Sequence, residues 1–158
     1  MLAEPISAGR LDLAFHDNGA VVAGQLWSIE LVFQGSAGLS ATRVLLGWAE
    51  ESLAVESPNG LAVQRLARTP DWHRFSLRFS PNQTEVSVDG KELAHGKGPD
   101  GPLATIRLAS SAPGQAMPPN ALAGHFDDLQ LIRFAEPPDS FELDIAQDEA
   151  RMVVGDQL

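Results

Sequence analysis

The chain is expected to form an all-β fold of antiparallel strands, and three observations lead there. Apolar residues recur with a period of two in run after run, which places them on one face of a strand. Fourteen glycines and eleven prolines are spread along the 158 residues, as short strands joined by turns require. Almost no stretch carries a helical period. Strands at this regular spacing build a two-sheet sandwich or a barrel.

The first strand is expected over residues 9–17, with Leu11, Leu13 and Phe15 on one face and His16-Asp17-Asn18-Gly19 as its turn. Trp27, Ile29, Leu31 and Phe33 then alternate with Ser28, Glu30, Val32 and Gln34, and Gly35 to Gly38 ends that strand. Residues 43–48 make a further strand, where Val44-Leu45-Leu46 is apolar on both faces and so asks for cover on both sides. Residues 53–56 and 61–68 form a hairpin about the turn 57–60, with a helical turn over 50–56 as the alternative.

The most informative stretch is Trp72 to Leu93. Phe75, Leu77 and Phe79 alternate with Ser76 and Arg78, Ser80-Pro81-Asn82 breaks the run, and Val86 and Val88 alternate with Glu85, Ser87 and Asp89. Asp89-Gly90 suits the positive φ angles of a tight hairpin turn. These residues predict three short strands with one dry and one wet face. Residues 95–102 read as a loop. A short strand follows over 105–109 with Ile106 and Leu108 inward, then a loop over 110–120, then a last strand over 126–134. One core of Phe75, Leu77, Phe79, Val86, Val88, Ile29, Leu31, Phe33, Leu129 and Leu131 is expected, with Trp27 and Trp48 as further core candidates.

A Trp opening a strand, an apolar alternation, a polar turn and an apolar-x-apolar-Asp-Gly turn resemble the laminin-G-like and concanavalin-A-like lectin/glucanase domains. Gly124-His125-Phe126-Asp127-Asp128-Leu129-Gln130-Leu131 resembles the closing strand of that superfamily. The resemblance spans residues 9–134 and implies an antiparallel two-sheet jelly roll. It places a sandwich domain over residues 1–136, with a linker and tail over 137–158. In that tail Phe141, Leu143 and Ile145 alternate like a strand. Residues 148–158 are similar to the first strand and turn of small Sm-like or SH3-like barrels, so the native chain is expected to continue. A lone strand recruits whatever edge is available, so the tail is a candidate for self-association.

Composition narrows the function. With no cysteine there is no disulfide, thiolate zinc site or Cys nucleophile. A net charge of -10 and a pI of 4.6 argue against nucleic acid and anionic membranes as partners. No run approaches the about twenty apolar residues of a helical membrane span. The N-terminus has no basic or apolar leader pattern. Localisation stays open, with an extracytoplasmic or cell-surface setting implied by the resemblance.

Glycosidic chemistry needs two carboxyls converging across a sugar. Glycoside hydrolases and lyases of the resembled superfamily often carry two glutamates on one strand, and no Glu-x-Asp-x-x-Glu run occurs here. Asp127 and Asp128 are adjacent, so alternation sends them to opposite faces. No catalytic residue is assigned. Arg74 and Arg78 share the wet face of one strand, and with Arg43 and Trp72 they are the candidate ligand-binding residues. Arg65 and Arg107 are possible companions, and cross-strand pairs to Glu30 and Glu85 are the competing use of these cations. A calcium ion is the one cofactor left open, with Asp17, Asn18 and Asp127 as candidate ligands. The expected function is a non-catalytic binding or interaction module of a larger bacterial-style surface or secreted protein, taking a glycan or protein ligand. The alternatives are a glycan-active enzyme domain and a structural spacer.

Overall fold

The computed structural model describes residues 4–19, 27–46, 53–57, 60–110 and 125–135; the side chains at 27, 46, 63, 109 and 110 lie outside that description. Within it the chain forms ten strands: β1 (Gly9–Asp17), β2 (Trp27–Gly35), β3 (Gly38–Leu46), β4 (Ala54–Glu56), β5 (Ala62–Val63), β6 (Asp71–Phe79), β7 (Gln83–Val88), β8 (Lys91–Lys97), β9 (Leu103–Ser110) and β10 (His125–Arg133). They make a six-stranded sheet ordered β10-β1-β6-β7-β8-β5 and a four-stranded sheet ordered β4-β3-β2-β9. Every registered pair is antiparallel. The expected antiparallel two-sheet sandwich is the fold that forms.

Alternation decides what lies between the sheets. Leu11, Leu13 and Phe15 of β1, Phe75, Leu77 and Phe79 of β6, and Val86 and Val88 of β7 are buried from one side. Ile29, Leu31, Phe33 and Val44 meet them from the other. Phe33 and Phe79 join the sheets edge to face, with ring centroids 5.4 Å apart, a favoured aromatic geometry. The Asp89-Gly90 turn forms as expected, with φ of 52° and 71°. At the other end of β7, Ser80 N–H donates to the Gln83 carbonyl and closes that hairpin. Gly98 packs so closely on Ser80 and Pro81 backbone that a Cβ would collide there.

Several expectations give way to tertiary pairing. The loop expected from residue 95 is in part strand, because β8 continues to Lys97 and is hydrogen-bonded to β7 on one side and β5 on the other. Pairing with β7 at all three residues, and with β5 as well at His95, outweighs the weak strand preference of His-Gly-Lys. The strand expected over 61–68 shrinks to Ala62–Val63, and 54–56 is strand rather than helical turn. Leu45 and Val44 are both buried, as a strand covered on both faces requires. Leu108 is 38% exposed and so is not a core residue, although it is registered opposite buried Ile29. Trp48 and the tail over 137–158 fall outside the described residues, as does the side chain of Trp27.

Leu129 is the clearest correction, being 48% exposed rather than in the core. On β10, Phe126 faces Phe15 and Leu131 faces Leu11, both against the core. They are five residues apart, an odd spacing that strict alternation cannot place on one face. The register shifts between Asp12 and Ala14, so that Asp128 and Leu129 together oppose Leu13. Asp128 takes up the extra residue with φ of 51°. This β-bulge resets the parity and turns Leu129 out, while Leu131 stays partly buried.

Phe79→Ala is expected to cost roughly 3–5 kcal/mol, since it empties a fully buried site, and Leu129→Ala less than about 1 kcal/mol. Urea denaturation of both variants checks this; equal losses would contradict the assigned parity of β10.

Candidate functional site

The wet face of the six-stranded sheet carries the site, and register lays it out in rows. One row runs His125, His16, Trp72 across β10, β1 and β6, and the next runs Asp127, Ala14, Arg74. A third runs Gln130, Asp12, Ser76, Ser87, Glu92, and a fourth runs Ile132, Arg10, Arg78, Glu85, His95. The last three rows form a groove of about 560 Å³ whose lining includes Arg10, Asp12, Arg74, Ser76, Arg78, Glu85, Ser87, Glu92, Asp128 and Gln130. Trp72 stands beyond Arg74 on the same face and is 50% exposed. It lies within β6. His16 braces its ring edge-on at 5.4 Å and in turn meets His125 at 6.1 Å.

Acids and bases alternate within the groove. Arg10 Nε donates to Asp12 Oδ2 at 2.7 Å, and Arg74 Nη2 lies 3.8 Å from Asp128 Oδ2. Glu92 accepts from Gln64 at 2.6 Å and meets His95 at 2.7 Å. Arg78 and Glu85 are register partners. Asp127 and Asp128 do not diverge as alternation implied: both are exposed on the wet side, because the bulge inserts a residue between them and Leu131. Asp127 Oδ1 accepts the Asp128 amide at 2.8 Å.

Three of the four candidate ligand residues, Trp72, Arg74 and Arg78, thus share one face. Arg43 does not join them. It lies on the four-stranded sheet, where Glu30, buried on the outer face, binds it together with Arg107. That ladder is the cross-strand use expected for Glu30. The calcium candidates are not assembled either. Asp17 points into the sandwich end, Asn18 is exposed beside it, and Asp127 is on the groove side of β10. Among the described residues no group of three or more His, Asp or Glu is placed to hold a metal.

Asp17 belongs instead to an ionic cluster at that end of the sandwich. Arg68 donates to both its oxygens, at 2.8 and 2.6 Å, with both side chains at most 2% exposed. Burial alone would raise the Asp17 pKa, but Arg68 and the Gly19 amide hold it below the ordinary value. His73 binds Asp89 through Nδ1 and the Thr69 carbonyl through Nε2, both at 2.7 Å. Both partners are acceptors, so the arrangement favours the ring with both nitrogens donating. Burial disfavours that charge, yet Asp89 and Thr69 outweigh it and hold the His73 pKa above its usual value. Asp89 is opposed by burial too, but is lowered by His73 and the Arg74 amide.

No protein-family model matches the sequence, and no curated protein sequence matches it. Among solved structures, a tetrameric galectin from Cinachyrella sp. (ball sponge) is similar in fold, with 11% identity and a TM-score of 0.46 over 84% of this chain and 96% of that one. A beta-porphyranase from the human gut bacterium Bacteroides plebeius is similar with 10% identity and a TM-score of 0.49, over 84% of this chain and 66% of that one.

Two predictions follow from the cluster. Arg68→Ala strands a buried carboxylate and is expected to cost about 3–5 kcal/mol, whereas Arg68→Met with Asp17→Leu recovers most of the loss. Chemical denaturation of the three proteins tests this, and a single variant as stable as the double would refute it. For His73, a raised folded pKa means stability that is complete below the ordinary 6.5 and lost as pH rises through the folded value. For Asp17 and Asp89, lowered values mean stability present above the ordinary 3.8 and lost as pH falls through the folded values. Melting temperature should therefore fall on both sides of an intermediate range. His73→Gln should remove most of the alkaline-side fall and part of the acid-side fall, leaving the share that Asp17 owes to Arg68.

Proposed function

We propose that this chain is a non-catalytic glycan-binding module whose site is the groove on the wet face of the six-stranded sheet. The observation that carries the reading is Trp72: a half-exposed indole, braced by His16, beside a row of polar side chains on a paired sheet. An apolar ring face with convergent donors and acceptors is what a sugar needs, since its C–H face packs on the ring while its hydroxyls bond at the rim. Strands hold such groups more rigidly than loops do, which reduces the ordering cost of binding.

The absence of catalysis is part of the same proposal. A glycosidase keeps one carboxyl protonated in an apolar setting to serve as its acid. Here Asp12 sits on Arg10, Asp128 lies beside Arg74, and Glu92 meets His95 and Gln64. None of these carboxyls stands in an apolar setting, and beside such donors their oxygens are placed to accept from ligand hydroxyls.

A glycan array probed with calcium and with chelator tests the proposal. Binding is expected in both conditions, with loss of about tenfold or more in affinity on Trp72→Ala and no change in melting temperature. No binding to any glycan, or binding indifferent to Trp72 and Arg74, would overturn it. Release of reducing sugar that a single Asp or Glu substitution abolishes would overturn its non-catalytic part.

A further inference from the structure

Granted the glycan reading of the groove, its charges narrow the ligand class. The lining holds three guanidiniums, of Arg10, Arg74 and Arg78, against four carboxylates, of Asp12, Glu85, Glu92 and Asp128. Each arginine has a carboxylate as bonded partner, near neighbour or register partner, on a chain of net charge -10. A sulfated or uronate glycan would bring its own anions beside Asp12, Asp128 and Glu92, and like charges at that range repel. A hydroxyl group meets no such cost. It accepts from a guanidinium and donates to a carboxylate, so two neighbouring hydroxyls span one acid–base pair without adding charge.

The pair nearest Trp72 is Arg74 with Asp128, and Asp128 owes its place to the bulge. Strict alternation would aim residue 128 at the core beside Leu13. The inserted residue instead turns Asp128 into the groove, at the expense of a left-handed backbone that side chains other than glycine rarely adopt. We infer that the groove takes an uncharged glycan whose adjacent hydroxyls bridge Arg74 and Asp128 beside Trp72. Asp128, delivered by the β10 bulge, is then its specificity-determining acceptor.

The test sets neutral glucans, galactans, mannans and xylans against polygalacturonate and sulfated galactan, by array and calorimetry, from about 0.05 to about 0.5 M salt. Expected is binding confined to neutral polymers, with affinity changing less than about twofold across that range. Asp128→Asn and Asp128→Gly both tolerate the left-handed backbone. Each should lower affinity about tenfold or more at unchanged melting temperature. Trp72-dependent binding confined to the anionic polymers and weakening with salt would overturn the inference while leaving the glycan reading intact. Wild-type affinity in both Asp128 variants would do the same. No binding to any of the polymers would remove both.

Discussion

Nine residue pairs, from Gly9 against Phe79 to Asp17 against Asp71, hold β1 to β6 without a slip, and the groove depends on that register. A strand has two faces, so whatever buries Phe75, Leu77 and Phe79 also presents Trp72, Arg74, Ser76 and Arg78 outward. The core pins the choice. Leu11, Leu13, Phe15, Phe75, Leu77 and Phe79 are each at most 2% exposed. A one-residue slip would turn one strand's three core residues to water, forfeiting roughly 5–9 kcal/mol. That is comparable with the whole stability of a typical domain. The composition of the site is thus a consequence of core packing.

β10 shows the same constraint from its edge. It must cover the core at Phe126 and again at Leu131, and its sequence puts those residues an odd number of steps apart. One bulge reconciles them, and it falls where it can do least harm to the core, opposite Leu13 on the outermost strand of the sheet. The residue it displaces is then free to serve the groove. A device needed to rescue packing is in that way also the device that sets an acceptor beside Arg74.

Much of the fold was legible in the sequence because alternation is a local signal. β1, β2, β6, β7 and the Asp89-Gly90 turn each announce themselves within about ten residues. What was not legible depends on partners. β8 runs through His95-Gly96-Lys97 because β7 pairs with all three, and Leu129 leaves the core because β10 is bulged against β1. For the site, the shared face of Trp72, Arg74 and Arg78 could be read from one strand. Arg10, Asp12, Glu85 and Glu92 are outward by the same parity, yet nothing local says that β1, β6, β7 and β8 lie side by side in that order. Arg43 was grouped with them for want of that order, and belongs to the opposite sheet. Asp17 and Arg68 are 51 residues apart, with no pattern to join them, so Asp17 read as a turn residue free to bind calcium.

The ionic cluster explains how the groove is held. Asp89 uses one oxygen on His73, which faces inward, and the other on the amide of Arg74, whose side chain faces the groove. Its left-handed backbone opens the β7–β8 turn, and Gly90 of that turn lines the groove. A single carboxylate therefore ties an inner side chain, an outer strand position and a turn together. Both ring nitrogens of His73 are taken up within the protein, by Asp89 and by the Thr69 carbonyl. Its role is positional. The pair is half-buried, with the Asp89 side chain 47% exposed, so its effect lies in fixing the turn against β6. What it fixes is the backbone at Arg74, and so the strand position from which that side chain reaches the groove beside Asp128.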